Sequence, residues 1–191
     1  MAEILLVRHG QTEWSAGGRH TSYTDVPLTP DGERQARDLR PALAGREFAA
    51  VFASPRRRAR QTAELAGLVV TDLDEDLVEW DYGDYEGRTS AQIRTEAPDW
   101  NLWTDGCPGG ESPGQVGARL DRVLGRAARA LDDGDVVLVA HGHSLRVAAA
   151  RWIGLGPGDG SRLRLDTGSR SALGYEHARP VILRWNTPTG G

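Results

Sequence analysis

Apolar residues fall along this chain in two kinds of block that alternate. Short apolar runs at residues 4–7, 48–53 and 135–140, the last reading DVVLVA, are too short for helices and predict buried strands. Residues 68–71 predict a shorter strand. Residues 171–176 and 181–185 predict two closing strands around a turn at Arg179-Pro180. Between these runs the apolar positions return with helical period. The clearest case follows Ser112, where Val116, Leu120, Val123, Leu124, Ala127 and Leu131 share one face up to a stop at Gly134. Start and stop signals bracket the other helices. Thr29-Pro30, with Asp31 and Glu33 in the first turn and Gly45 beyond, predicts a helix over 30–44. Ser54-Pro55 opens another that ends at Gly67. Thr89 and Gln92 form a capping box for a short helix up to Pro98, and Ser112 and Gln115 form a second. A last helix runs from about Ser144 to Ile153. Residues 79–87 and 99–111 hold too many glycines and turn formers for regular structure, and the final NTPTGG reads as loose. Strands alternating with helices imply right-handed crossovers, hence an α/β fold: a three-layer α/β/α sandwich with a mostly parallel central sheet.

Composition narrows the picture. The 191 residues suffice for one domain, 1–191, with a short insertion or lid region at about 80–111. A formal net charge of −4 gives no basic surface for nucleic acid. The chain has no Lys, which excludes a GxxxxGK[ST] phosphate loop. The single Cys107 rules out an internal disulfide and fits a reducing compartment. No stretch is apolar enough to span a bilayer and Met1-Ala2-Glu3 runs straight into a strand, so a cytoplasmic protein with no membrane partner is expected.

Three predicted strands lead into charge: the first into Arg8-His9-Gly10, the second through Ser54-Pro55 into Arg56-Arg57-Arg58, and the late one into His141. A run of arginines is most often a solvated helix face, and a strand-end histidine most often ordinary structure. In a parallel sheet, however, the carboxyl ends of the strands share one edge, where ligands bind. Two histidines and two arginines brought together there make an anion site, because guanidinium donors match phosphate oxygens and helix starts add N–H groups. Spacing tests the alternative phosphate chemistries. Six residues beyond Cys107 stands Pro113, not the Arg of a cysteine phosphatase. Asp72-Leu73-Asp74 nearly matches an aspartyl nucleophile motif, but Asp76 stands where Thr or Val belongs. His141 and His143, two apart at a strand end, point away from one another and do not suit a shared metal. What remains is an imidazole nitrogen attacking phosphorus.

The stretch LLVRHGQT at residues 5–12 resembles the signature of the histidine phosphatase superfamily, which includes the cofactor-dependent phosphoglycerate mutases. The resemblance extends through residues 24–32, SPRRRARQTA at 54–63, Glu79 with YGDYEG at 82–87, and Val139-Ala140-His141-Gly142. It implies the phosphoglycerate mutase-like fold and a set of roles. His9 would be phosphorylated. Arg8, Arg58 and His141 would hold the phosphoryl oxygens, and Glu79 would protonate the leaving oxygen and later activate water. Gln11, Ser15, Thr21, Ser22, Tyr82 and the Gly142 backbone would make further substrate and phosphate contacts. Neither metal nor organic cofactor is needed. The family contains monomers and homodimers.

Ser15 stands where the family often has Asn, and Glu79-Trp-Asp-Tyr-Gly83 replaces the Glu-Arg-His-Tyr-Gly of mutases. The mutases' long basic insertion and shielding tail are missing. The acid block and the 103–107 stretch are more similar to small acid phosphatase-like and sedoheptulose bisphosphatase-like members. The expected activity is therefore a histidine phosphatase, a phosphomonoesterase acting on small phosphorylated metabolites through phosphohistidine. A phosphoglycerate mutase is the alternative, and a catalytically inactive phospho-ligand-binding relative a third. Trp100, Trp103 and Arg146 form the candidate specificity surface, though ordinary packing explains the tryptophans equally well.

Overall fold

Why the apolar runs become central strands is plain in the computed structural model, which describes residues 2–188. β1 (Ile4–Arg8) pairs in parallel with β4 (Asp135–Ala140), from Ile4 opposite Val136 to Arg8 opposite Ala140. Both are covered on both faces, which demands near-continuous apolar sequence. Ile4, Leu6, Val136 and Leu138 pack towards one helical layer, and Leu5, Val7, Val137 and Val139 towards the other. Each such fully buried side chain contributes about 1.5–3 kcal/mol relative to exposure.

The elements in chain order are β1, α1 (Glu13–Ala16), α2 (Pro30–Asp38), α3 (Arg40–Leu43), β2 (Phe48–Ala53), α4 (Arg57–Leu65), β3 (Asp72–Leu73), α5 (Ser90–Glu96), α6 (Leu102–Asp105), α7 (Pro113–Ala130), β4, α8 (Gly142–Trp152), β5 (Arg170–Glu176) and β6 (Arg179–Thr187). The six strands lie in the order β3-β2-β4-β1-β5-β6, with β3, β2, β4 and β1 parallel and β5 and β6 antiparallel. The amphipathic face of α7 buries Val116, Leu120, Val123, Leu124 and Ala127 under the sheet.

Five local expectations need correction. Helix 30–44 is two helices, because Pro41 has no N–H to donate back and the chain resets at Leu39. The third strand pairs at Asp72–Leu73 rather than 68–71. Gly67, at φ +79°, turns the chain outwards and leaves Val69 82% exposed, and contact with β2 resumes when Thr71 N donates to Val51 O. The closing hairpin turns at His177 and Ala178, both at positive φ, while Arg179 and Pro180 already belong to β6. Pro180 is tolerated there because β6 is an edge strand. Asn186 and Thr187 of the supposedly loose tail extend β6, and residues 189–191 lie outside the described residues. The short helix α6, capped by Asn101, arises in the 99–111 stretch read as irregular, while α1, capped by Thr12, forms where no element was assigned.

The first turn of α2 sits directly on the loop after β1. A Cβ added at Gly32 would lie 2.1 Å from Gln11 O, and one at Gly10 would lie 2.2 Å from Gly32 O. Gly114, in the first turn of α7, has nothing within 4 Å. Gly32→Ala is therefore expected to destabilise the protein by about 1–3 kcal/mol in urea melts, since backbone must move. Gly114→Ala should stabilise it by about 0.5–1 kcal/mol through helix propensity. The opposite ordering would contradict this packing.

Candidate active site

The β1–β4 ladder delivers the reactive residues. His9 N donates to Ala140 O at 3.0 Å, so His9 and His141 leave the sheet side by side, their rings edge to face with centroids 5.1 Å apart. His9 Nδ1 lies 2.7 Å from Gly10 O. A carbonyl only accepts, so Nδ1 carries the proton and Nε2 is the bare nitrogen. His9 lines a cavity of about 230 Å³ together with Arg8, Ser15, Thr21, Glu79, Tyr82 and Gly142. Arg8 donates through Nη1 to Leu165 O, while its buried Nε has no partner. Its guanidinium lies over the start of α8, an approach that Gly142 permits: a Cβ there would be 3.1 Å from Arg8 Cζ.

Arg58 and His141 lie beneath this surface, both fully buried, and do not line the cavity. Arg58 Nε donates to His141 Nδ1 at 3.2 Å, which places the His141 proton on Nε2, 2.7 Å from Ser54 Oγ. The remaining Arg58 bonds run to the carbonyls of Thr21, Ser22 and Thr24, each at 3.1 Å, and fix the 21–24 segment. Ser22 turns its hydroxyl to Glu79 O, and Gln11 Oε1 accepts from Thr29 Oγ1, so neither lines the cavity. Thr21 and Ser15 do, with hydroxyls donating to Arg19 O and Thr12 O.

Glu79 is built into the start of α8. Its Oε1 accepts from Trp80 N and Ser144 N, and its Oε2 from His143 N at 3.0 Å. Arg119 holds the strand-like approach to it. This buried guanidinium donates to the carbonyls of Asp76, Val78 and Glu79 and to the Glu111 carboxylate. Neither Arg119 nor Glu111 was predicted. The available signal was a charge at 119, between Val116 and Leu120 on the apolar stripe of α7.

Comparison with known proteins agrees with this geometry. The family model described as histidine phosphatase superfamily (branch 1) matches residues 4–188. The chain belongs to the histidine phosphatase superfamily. It is 46% identical to an acid phosphatase of Mycobacterium tuberculosis, over 91% of this chain and 87% of the relative. It is 41% identical to the sedoheptulose 1,7-bisphosphatase of Saccharomyces cerevisiae, over 80% and 68%. The solved structure of a Mycobacterium tuberculosis open reading frame product superposes with a TM-score of 0.95 at 42% identity, covering 99% of both chains. The fold is thus the mostly parallel α/β fold of the phosphoglycerate mutase-like histidine phosphatases, and the chain is a phosphatase of that family.

In this histidine phosphatase the far wall of the cavity is aromatic and basic. His143 lines it, with Nδ1 2.6 Å from the Tyr82 hydroxyl, and His20, Arg19, Ser90 and Arg146 complete it. His20 and His143 were missed as site residues, although both flank predicted ones. Trp100 is buried, its Nε1 donating to Gly106 O, and Trp103 packs between Trp80 and His143 under the Arg146 guanidinium. Both tryptophans therefore pack as structure. No helix among the described residues is long and apolar enough to cross a membrane.

Burial pushes the pKa of His9 and of His141 well below the ordinary histidine value, and neighbouring Arg58 lowers both further. Burial outranks the arginines that the sequence singled out. Both imidazoles are neutral in the fold, whereas in the unfolded chain they take up protons below about pH 6.5. Below that pH the unfolded state binds more protons, so stability must fall on acidification. Urea melts should lose roughly 2–3 kcal/mol between pH 7.5 and 5.5 from these two residues together. His143, also held low by burial, adds about half as much again, so the total loss should shrink by about a third in His141→Asn, and a flat profile would contradict the neutral imidazoles.

Proposed function

We propose that this protein is a metal-independent phosphomonoesterase of small phosphorylated metabolites, working through phosphohistidine at His9. The observation that carries the reading is the bare Nε2 of His9 in a cavity that the Arg8 guanidinium also lines. One is a nucleophile and the other a donor awaiting an anion. Neutrality, enforced mainly by burial, keeps the His9 lone pair available.

In the first step Nε2 forms a bond to phosphorus as the ester P–O bond breaks, and Glu79 gives its proton to the leaving alkoxide. In the second, water attacks the phosphohistidine, Glu79 takes its proton, and inorganic phosphate and free His9 result. Arg8 supplies donors from the cavity wall. Arg58 and His141 act from beneath: Arg58 brings charge close to His9, and His141 can pass its Nε2 hydrogen bond from Ser54 to a phosphoryl oxygen. Ser15, Thr21 and the Gly142 backbone at the start of α8 complete the phosphate pocket. Gln11 and Ser22 support it from behind. Among the described residues no group of three His, Cys, Asp or Glu side chains is arranged to hold a metal, so charge neutralisation falls to the arginines.

Hydrolysis is favoured over return of the phosphoryl group, because neither tryptophan of the 99–111 segment is free to close over the cavity. The relatives named acid phosphatase and sedoheptulose 1,7-bisphosphatase support phosphorylated metabolites as substrates. The lone, buried Cys107 suits a reducing cytoplasm.

Rapid quenching with a phosphate ester should trap an acid-labile, base-stable phosphoenzyme. His9→Ala should abolish both the label and nearly all turnover; a variant that still labels would overturn the assignment. Glu79→Gln should lower kcat/KM on sugar phosphates, whose leaving oxygens need a proton, by about 10²–10⁴-fold. Aryl phosphates should lose far less. Equal losses on both ester classes would show that Glu79 only positions substrate.

A further inference from the structure

The cavity is lined by a further histidine, His143, for which the hydrolysis scheme has no use. His143 occupies the second position of α8. Its backbone N–H donates to Glu79 Oε2, which ties the residue's backbone to the acid. Trp103 packs against that ring edge to face at 5.2 Å, and Tyr82 does so at 5.8 Å. The Tyr82 side chain is 1% exposed, and its hydroxyl makes one hydrogen bond among the described residues, the 2.6 Å contact to His143 Nδ1. Burial holds the phenol well above its ordinary pKa, so it keeps its proton; burial, then the Arg146 guanidinium, holds the imidazole well below its own against the pull of Glu79 Oε2, 3.9 Å from Nδ1, so it is neutral. Were Nδ1 the donor, the Tyr82 hydroxyl hydrogen would be left without an acceptor. Tyr82 therefore donates, Nδ1 accepts, and the single imidazole proton sits on Nε2. That nitrogen has no partner among the described residues, and the ring lines the cavity.

We propose that His143 is a specificity-determining residue: Tyr82 fixes it in the Nε2–H form, and it offers one neutral donor to a hydroxyl oxygen on the carbon skeleton of the substrate, beside the ester being cleaved. Tyr82 is the positioning residue. The proposal rests on the phosphatase reading above and narrows it to polyhydroxylated phosphate esters. A neutral N–H suits a hydroxyl acceptor, and a site built to bond a hydroxyl discriminates strongly against substrates that lack one.

The test compares ribose 5-phosphate with p-nitrophenyl phosphate, which has no hydroxyl. The ratio of their kcat/KM values is measured in the wild type and in His143→Phe, His143→Gln and Tyr82→Phe. Loss of the donor in His143→Phe should lower the ratio about tenfold or more, chiefly through KM for the sugar phosphate. Gln, whose amide nitrogen reaches towards the Nε2 position, should recover part of it. Tyr82→Phe, which frees the tautomer, should lower it by less. Imidazole 15N–1H correlation spectra of the wild type should show His143 protonated at Nε2 and bare at Nδ1. An unchanged ratio in a folded His143→Phe, or the reverse tautomer, would overturn the proposal. Absence of turnover on both esters in the wild type would instead fail the phosphatase reading, and the tautomer would still decide the state of His143.

Discussion

The site depends on the last rung of the parallel β1–β4 ladder, the hydrogen bond from His9 N to Ala140 O. Parallel pairing aligns the carboxyl ends of two strands far apart in sequence, and so places Arg8 and His9 next to His141 and the start of α8. The pairing holds because both strands are apolar on both faces, and a register slip would turn their buried side chains over. Antiparallel β5 and β6 close the sheet beyond β1, while β2 and α4 bring Arg58 in from the other side.

Collecting cations beneath a histidine carries an electrostatic cost. Arg58 is fully buried and Arg8 half-buried, and charges in such places persist only when their donors are used. Arg58 uses most of its donors on backbone carbonyls and on His141, which turns the desolvated charge into a clamp on the 21–24 segment. Arg8 leaves its Nε unpartnered, and its guanidinium lines the same cavity as the His9 nitrogen that has been kept neutral. A phosphoryl group satisfies both at once.

The acid side of the site is organised through backbone rather than side-chain charge. Three N–H groups grip the Glu79 carboxylate, and Arg119, crossing from α7, ties the carbonyls around it to Glu111. Because His143 N is one of those three donors, the acid and the imidazole proposed to read the substrate move as one unit.

The amino-acid order alone reveals the strands at 4–7, 48–53 and 135–140, the long amphipathic helix, the α/β class and the family, because these rest on local signals: continuous apolar runs, a 3.6-residue period, caps, and a motif order. It also named Arg8, His9 and Glu79, which do line the cavity. Only the tertiary structure decided which layer each residue occupies. Arg58 and His141 sink below the surface because a guanidinium and an imidazole can satisfy one another there, while His20 and His143, unremarkable in sequence, reach the wall. Tautomers belong to the same class of fact. The proton position on His9 is set by a neighbouring carbonyl, and that on His143 by a tyrosine 61 residues away. No periodicity encodes such a contact, since it depends on how loops fold back onto the sheet edge.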